Sequence, residues 1–377
     1  MLSPSQPASL DSQLFQSEEN GGYLMITQLE IRNFRCFKNV KLNGLKRFNF
    51  IVGQSGAGKT ALVEGLFLVG GGNPEIWFRI RRWRGIGEGL IQVGLRQNYE
   101  ALFRDMFYAF NQSQGAFLRI IDSVEGKREL EIFYDHSDVT RLPIGDQKGK
   151  ENAFAVDPIS FKWDFGSRVS HSRVEIVDGA LQMKGSAQVY PVFLVSPRTF
   201  SGKENAGFYS TLSRTKRAKP VLDAVRSIFP DVEDISLEML AGEPLIYVSL
   251  PGLPEKLPLG DLSGGLNKYI EILLAILINP GGVVLIDEIE NGFHHRNLPA
   301  LLRNIVEMCE ENRVQLFATT HSYEFLQVMA EAVASSKNGK DDFSLIRLER
   351  NGIDSPTITT VSGEAFEAAI SEDFEVR

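Results

Sequence analysis

The sequence predicts an α/β fold with a mixed β-sheet core flanked by helices, an antiparallel β lobe and an inserted middle segment. Three observations predict it. First, Gly53-Gln54-Ser55-Gly56-Ala57-Gly58-Lys59-Thr60 fits the pattern G-x-x-x-x-G-K-[ST] without departure, between a strand-like run (48–52) and a helix-like run (61–68). Second, the four apolar residues 283–286 surface at the acidic pair Asp287-Glu288. Third, alternating runs around turn residues, 116–122 with 128–134 and 174–176 with 181–183, read as antiparallel hairpins.

Each element follows in order. Residues 1–22 are rich in Ser, Gln, Asn and Gly and read as a flexible tail. In 25–33, Ile26, Leu29 and Ile31 alternate with polar residues, which predicts a strand with one buried face. Residues 33–37 turn the chain, and 40–42 continue in β. After the loop helix, Gly70-Gly71-Gly72-Asn73-Pro74 is a break. Residues 76–84 interleave arginines with aromatics. They read either as a nucleic-acid surface, with Arg on phosphates and Trp stacking, or as the commoner amphipathic segment with aromatics inward and arginines solvated or paired. Residues 99–110 look helical, and 136–170 read as a polar, irregular surface excursion. Residues 190–195 form an apolar strand ending at Ser196-Pro197-Arg198. The basic cluster 213–219 reads as a solvated loop, with nucleic-acid contact as the alternative. Residues 221–229 are helical and 245–250 a strand. A long apolar helix opens at Ser263-Gly264-Gly265 and ends at Pro280-Gly281-Gly282. Helices over 298–311 and 323–334, a strand over 314–320 and a hairpin over 343–350 and 358–361 complete the chain.

Composition sets bounds. The chain has 377 residues, 43% hydrophobic and 23% charged, which suits a globular protein with a sizeable core. A net charge of −8 leaves nucleic-acid contact to local patches. Two distant cysteines, Cys36 and Cys309, suit a reducing cytoplasm and imply no disulfide framework. No apolar run is long enough to span a bilayer.

The chemistry lies in four places. In the loop 53–60, glycines let backbone N–H groups curl around phosphate oxygens at a helix N-terminus. Lys59 would reach the β- and γ-phosphates and the Thr60 hydroxyl would ligate Mg²⁺. Asp287 would hold the metal from a strand next to the loop, and Glu288 would act as general base on the attacking water. Ser263-Gly264-Gly265 is a second anion cradle, or a simple N-cap. One nucleotide needs only one cradle, so the second is expected to serve another subunit's nucleotide. His321 follows a buried strand and would bond the γ-phosphate, or cap the next helix. His294 and His295 are not expected to hold zinc, because neighbouring side chains diverge and no Cys lies nearby.

The order of loop, Leu262-Ser263-Gly264-Gly265, Asp287-Glu288, Glu290-Asn291-Gly292-Phe293-His294 and Thr320-His321-Ser322 resembles that of ABC-type ATPases, a class of P-loop NTPases. It is most similar to the soluble branch containing RecF, the SMC proteins and the OLD-family ATPases of phage defence. Ile31-Arg32-Asn33-Phe34-Arg35-Cys36-Phe37 looks like that branch too. The resemblance covers 23–72 and 245–377, which it implies as a discontinuous ATPase core within 23–377, with an insert of helical and β-hairpin character over about 73–244. It implies that Ser263, Gly264 and Gly265 are the signature, 291–294 the D-loop and His321 the switch histidine. The implied mechanism is a head-to-tail homodimer closing on two ATP molecules with Mg²⁺.

Several positions depart from the family pattern. Leu266 replaces the signature glutamine, and the Q-loop is either Gln92 or the Ser196-Pro197 turn. No long coiled coil or Cys-x-x-Cys hook interrupts the chain. Only 56 residues follow His321, too few for a fused nuclease. The resemblance therefore implies an ATP-hydrolysing switch that controls a separate effector protein, a nuclease or toxin, in phage defence. The alternatives are a DNA clamp using 79–84 or 214–219, and an energising subunit of a transporter.

Overall fold

The computed structural model describes residues 24–85, 96–137, 140–143, 153–177, 180–196, 202–336, 339–350 and 355–362, with Gly352 and Ala365. The expected tail over 1–22, and Gln92, Pro197 and Arg198, lie outside the described residues. The chain opens with β1 (Ile26–Phe34), β2 (Phe37–Asn43) and β3 (Phe48–Gly53), then α1 (Lys59–Gly70), α2 (Glu75–Trp83) and α3 (Arg96–Phe103). A run of strands follows: β4 (Ala116–Asp122), β5 (Lys127–Tyr134), β6 (Thr140–Pro143), β7 (Ala153–Val156), β8 (Ile159–Asp164), β9 (Val169–Val177), β10 (Ala180–Lys184) and β11 (Val192–Val195). Then come α4 (Gly202–Arg214), α5 (Lys219–Ile228), β12 (Asp234–Leu240), β13 (Glu243–Ser249), β14 (Leu257–Pro258) and α6 (Gly264–Ile278). The chain closes with β15 (Val283–Ile286), α7 (Leu298–Glu311), β16 (Gln315–Thr319), α8 (Tyr323–Ala334), β17 (Phe343–Glu349) and β18 (Thr357–Ser362).

Two large sheets organise these elements. The first is a mixed six-stranded sheet, order β11-β15-β16-β3-β17-β18, parallel except at β18. Both its faces are covered, so its strands are apolar runs rather than alternating ones. Alternate residues feed two cores: Ile51, Val283, Leu285, Phe317 and Ile346 face one, while Phe50, Val284, Ile286, Leu316 and Leu345 face the other. The second is an antiparallel seven-stranded sheet, order β10-β9-β8-β5-β4-β1-β2, which is the expected β lobe.

Helix α1 lies in the core that joins the two sheets, where Gly65 meets Ile31 and Leu118. That position explains why eleven of its residues are buried and why it has no polar face. The Arg128 guanidinium, 1% exposed, reaches in from β5 and donates to Val69 O (2.7 Å) and Gly71 O (2.7 Å) at the helix C-terminus. A cation there complements the helix dipole. Burial pulls the Arg128 pKa down to about 10, against the nearby charge of Glu125. Gln315 bonds both backbone groups of Ile26, at 2.8 Å each, and so stitches the sheets together. On the other face, α4, α5 and α7 pack around α6, twelve of whose fifteen residues are buried, and α8 packs on α7.

Some expectations need correction. The excursion over 136–170 contains β8, an interior strand of the seven-stranded sheet, with Ile159, Phe161 and Trp163 at 0% exposure. Polar neighbours hid a strand whose own residues alternate. Residues 99–110 are not one helix: α3 ends at Phe103 and two 3-10 turns follow, with left-handed Ala109 and Phe110. From within 73–244, β11 is bonded into the six-stranded sheet beside β15, and α4 packs on α6.

Candidate nucleotide site

The loop leaving β3 enters α1 through Gly58, whose φ of 107° favours glycine. A Cβ there would sit 2.6 Å from Cys36 Sγ, so only glycine fits. Lys59 is 5% exposed, and its ammonium donates to Gly53 O at 2.6 Å and Gln54 O at 3.0 Å, closing the loop around it. Burial pulls the Lys59 pKa below the usual ammonium range, while Asp287, Glu290 and Glu288 oppose the shift.

Thr60 Oγ1 donates to Asp287 Oδ2 at 3.0 Å and lies 3.2 Å from Oδ1. The two meet although their strands are not neighbours as expected: β16 lies between β3 and β15. Thr319, at the end of β16, fills the gap. Fully buried, its hydroxyl donates to Asp287 Oδ1 (2.6 Å) and accepts from Glu288 N (2.8 Å). Glu288 adopts φ 50°, a left-handed conformation that costs a non-glycine residue about 1 kcal/mol. Its Oε2 accepts from Asn291 Nδ2 at 2.5 Å.

Lys59, Thr60, Asp287, Glu288 and His321 line one cavity of about 460 Å³. Ser322, not His321, caps α8, accepting from Phe325 N at 3.1 Å. The His321 side chain is thus free of that task, and its backbone N–H donates to Glu290 Oε1 at 2.6 Å. Ser196 also lines the cavity, and its carbonyl accepts from the buried Lys268 at 3.3 Å.

Ser263 and Gly264 are exposed, whereas Gly265 is buried, and none of the three lines this cavity. Ser263 does cap α6, accepting from Leu266 N at 3.2 Å. The His294 and His295 rings lie 4.2 Å apart, so they do not diverge as expected. His294 Nδ1 accepts from Arg296 N.

The basic, aromatic α2 fits the amphipathic account. Trp77 is fully buried, Arg81 pairs with Asp105 at 2.6 Å, and Arg84 with Glu64 at 2.5 Å. Trp83 and Arg84 also form a wall of the cavity, with Arg35 and Cys36 among its other lining residues, which the spacing alone did not suggest. In the second cluster, Arg214, Lys216 and Lys219 are exposed and Arg217 donates to Leu277 O at 2.8 Å. The roles of Thr319 and Glu290 escaped the sequence reading, although Glu290 stands in one of its motifs. The run Thr319-Thr320-His321, polar residues closing an apolar strand, was the available signal for the first.

Two family models match the chain. One, described as "AAA domain", covers residues 28–152; the other, described as "AAA domain, putative AbiEii toxin, Type IV TA system", covers 205–327. The first contains the loop 53–60, and the second contains Ser263, Asp287, Glu288 and His321. This chain is a P-loop ATPase. The ATPase is 24% identical over 358 residues to an "ATP/GTP phosphatase" of Helicobacter pylori, a match spanning 82% of this chain and 88% of that one. Among solved structures, it is similar to an SMC head domain from Thermotoga maritima (13% identity, TM-score 0.41, covering 89% of this chain and 98% of that one). It is also similar to an Smc head domain with an extended coiled coil, bound to the C-terminal domain of ScpA and derived from Pyrococcus furiosus (12% identity, TM-score 0.44, covering 93% and 99%). Among the described residues, no helix of the ATPase is long and apolar enough to cross a membrane.

Proposed function

We propose that the ATPase is a cytoplasmic switch of the RecF, SMC and OLD-like kind that closes head to tail as a homodimer on two ATP molecules. In this reading it controls a separate effector protein, a nuclease or toxin, in phage defence. One observation carries it. The Ser263 turn opens α6 with Ser263 and Gly264 exposed to solvent, and none of its three residues lines the cavity that contains Lys59. A second copy can therefore bring its own turn to that cavity.

The residues fit a magnesium nucleotide. Lys59 and the N–H groups of 53–60 bind the phosphates. The Thr60 hydroxyl and the Asp287 carboxylate, already in contact, are the hard oxygen donors that would hold Mg²⁺. Bound there, the ion would neutralise charge on the phosphate oxygens. Glu288 accepts a proton from the attacking water, held in place by Thr319 through its backbone and by Asn291 through its carboxylate. His321 donates to the γ-phosphate, and Ser263 of the partner subunit, with Gly264 and Gly265, completes the pocket.

The test is the Glu288→Gln variant, which should bind ATP, stall and accumulate dimer by light scattering. A variant that stays monomeric with saturating ATP overturns the sandwich. A DNA clamp is the second reading, favoured by exposed Arg214, Lys216 and Lys219. It requires ATP-dependent DNA binding that weakens steeply with salt, and no binding at low salt removes it.

A further inference from the structure

The ends of β15 and β16 are joined beyond their last ladder pair, Ile286 with Ala318. Thr319 holds Asp287 and Glu288, and its carbonyl accepts from Ile289 N at 3.0 Å. Ile289 is fully buried and anchors the turn. The last link is Glu290 Oε1, which accepts from His321 N at 2.6 Å. This is the point where the β16 chain leaves the sheet and enters the nucleotide cavity.

The other oxygen of the same carboxylate, Oε2, is buried and has no hydrogen-bond partner among the described residues. Burying a carboxylate with one oxygen unsatisfied is a poor way to stabilise a fold. The charge of Glu290 reaches both Lys59 and Lys268, so it also contributes to the electrostatics of the site.

We infer that Glu290 is the positioning residue for His321: its carboxylate oxygen fixes the His321 peptide so that the imidazole meets the γ-phosphate. This rests on the reading of His321 given above. Glu288 and Glu290 then divide the labour of one short turn. Glu288 faces the attacking water, while Glu290 sets where the phosphate-contacting histidine stands. Because Glu290 acts through His321, its removal should slow turnover without weakening nucleotide binding. A small displacement of a reacting group is enough to cost about a hundredfold.

The experiment is a double-mutant cycle on the full chain, read by steady-state ATP hydrolysis. Glu290→Ala should lower kcat by about 10- to 100-fold, with KM for ATP within about threefold. Glu290→Asp, which keeps the charge but withdraws the oxygen, should lose as much. Glu290→Gln retains an acceptor oxygen and should stay close to the parent. In a His321→Ala background, none of these changes should cost more. A loss from Glu290→Ala that persists at full size without His321, or a loss that falls on KM alone, overturns the assignment. So does a Glu290→Gln variant as slow as Glu290→Ala, which would assign the effect to the charge. If His321→Ala itself leaves hydrolysis intact while Lys59→Ala abolishes it, the role given to His321 has failed, and the inference about Glu290 falls with it. Melting temperatures measured alongside identify any variant that is simply unfolded, and Glu290→Asp then carries the cycle.

Discussion

Gly265 stands so close to Gly292 that a Cβ on it would lie 2.3 Å from the Gly292 carbonyl oxygen. The start of α6 is thereby pressed onto the turn that follows Glu288. Gly264, one residue earlier, has no atom within 4 Å of where its Cβ would be.

The two glycines should therefore respond differently. Gly265→Ala forces backbone against backbone and should destabilise the chain by about 2 kcal/mol or more, read by urea denaturation. Gly264→Ala should leave the melting curve unchanged. Under the sandwich mechanism it still crowds the partner's phosphates and should cut ATP turnover at least tenfold. Full turnover by Gly264→Ala would count against a shared pocket.

Thr319→Val keeps the shape of the side chain and deletes its hydroxyl. Asp287 then loses its 2.6 Å donor and Glu288 N its acceptor, both inside the protein. A stability loss of about 1 to 3 kcal/mol is expected. Turnover should fall as well if Glu288, whose backbone Thr319 holds, is the general base proposed above. A fully stable, fully active variant would show that Thr319 is not the strut between the two acids.

Lys59→Ala should abolish ATP binding, measured directly by titration calorimetry. The buried ammonium of Lys59 is also a burden in the empty chain, since its bonds go only to loop carbonyls among the described residues. The variant should therefore melt no earlier than the parent without nucleotide and gain nothing when ATP is added, whereas the parent should gain.

Glu271, on α6 beside Lys268, has its pKa raised to about 7 by burial, with Lys268 opposing the shift and Glu204 adding to it. For an acid with a raised folded pKa, the folded state favours the proton. Stability is then fullest below the ordinary carboxylate pKa and is lost as pH rises from about 4.5 towards 7. Replacing Glu271 by Gln removes this dependence. The variant should gain melting temperature relative to the parent between pH 5 and pH 8, and the gain should shrink towards pH 4.5. A constant difference across that range would contradict the shift.

The candidate site was legible where its residues are local. The loop needs consecutive residues, and Asp287-Glu288 needs only a strand end. The residues that hold those groups in place were not legible, because each acts across the sheet. Thr319 is 32 positions from Asp287 and Glu290 is 31 from His321, and no local pattern encodes such pairs. Strand order is equally non-local. Nothing in 283–286 or 48–52 announces that β16 will lie between them. The loss of β8 was of another kind. Its alternation was present, but the polar stretch around it outweighed six residues.

Arg128 grips the far end of the helix whose first turn carries Lys59 and Thr60. At about 1.5 Å per residue, the twelve residues of α1 make a rod of roughly 18 Å. The lobe also touches this rod at Gly58, through Cys36 and Phe37, and at Gly65, through Ile31 and Leu118, so it braces the helix along its length. A shift of the lobe is therefore expected to be felt at Lys59, and a ligand at Lys59 in the lobe.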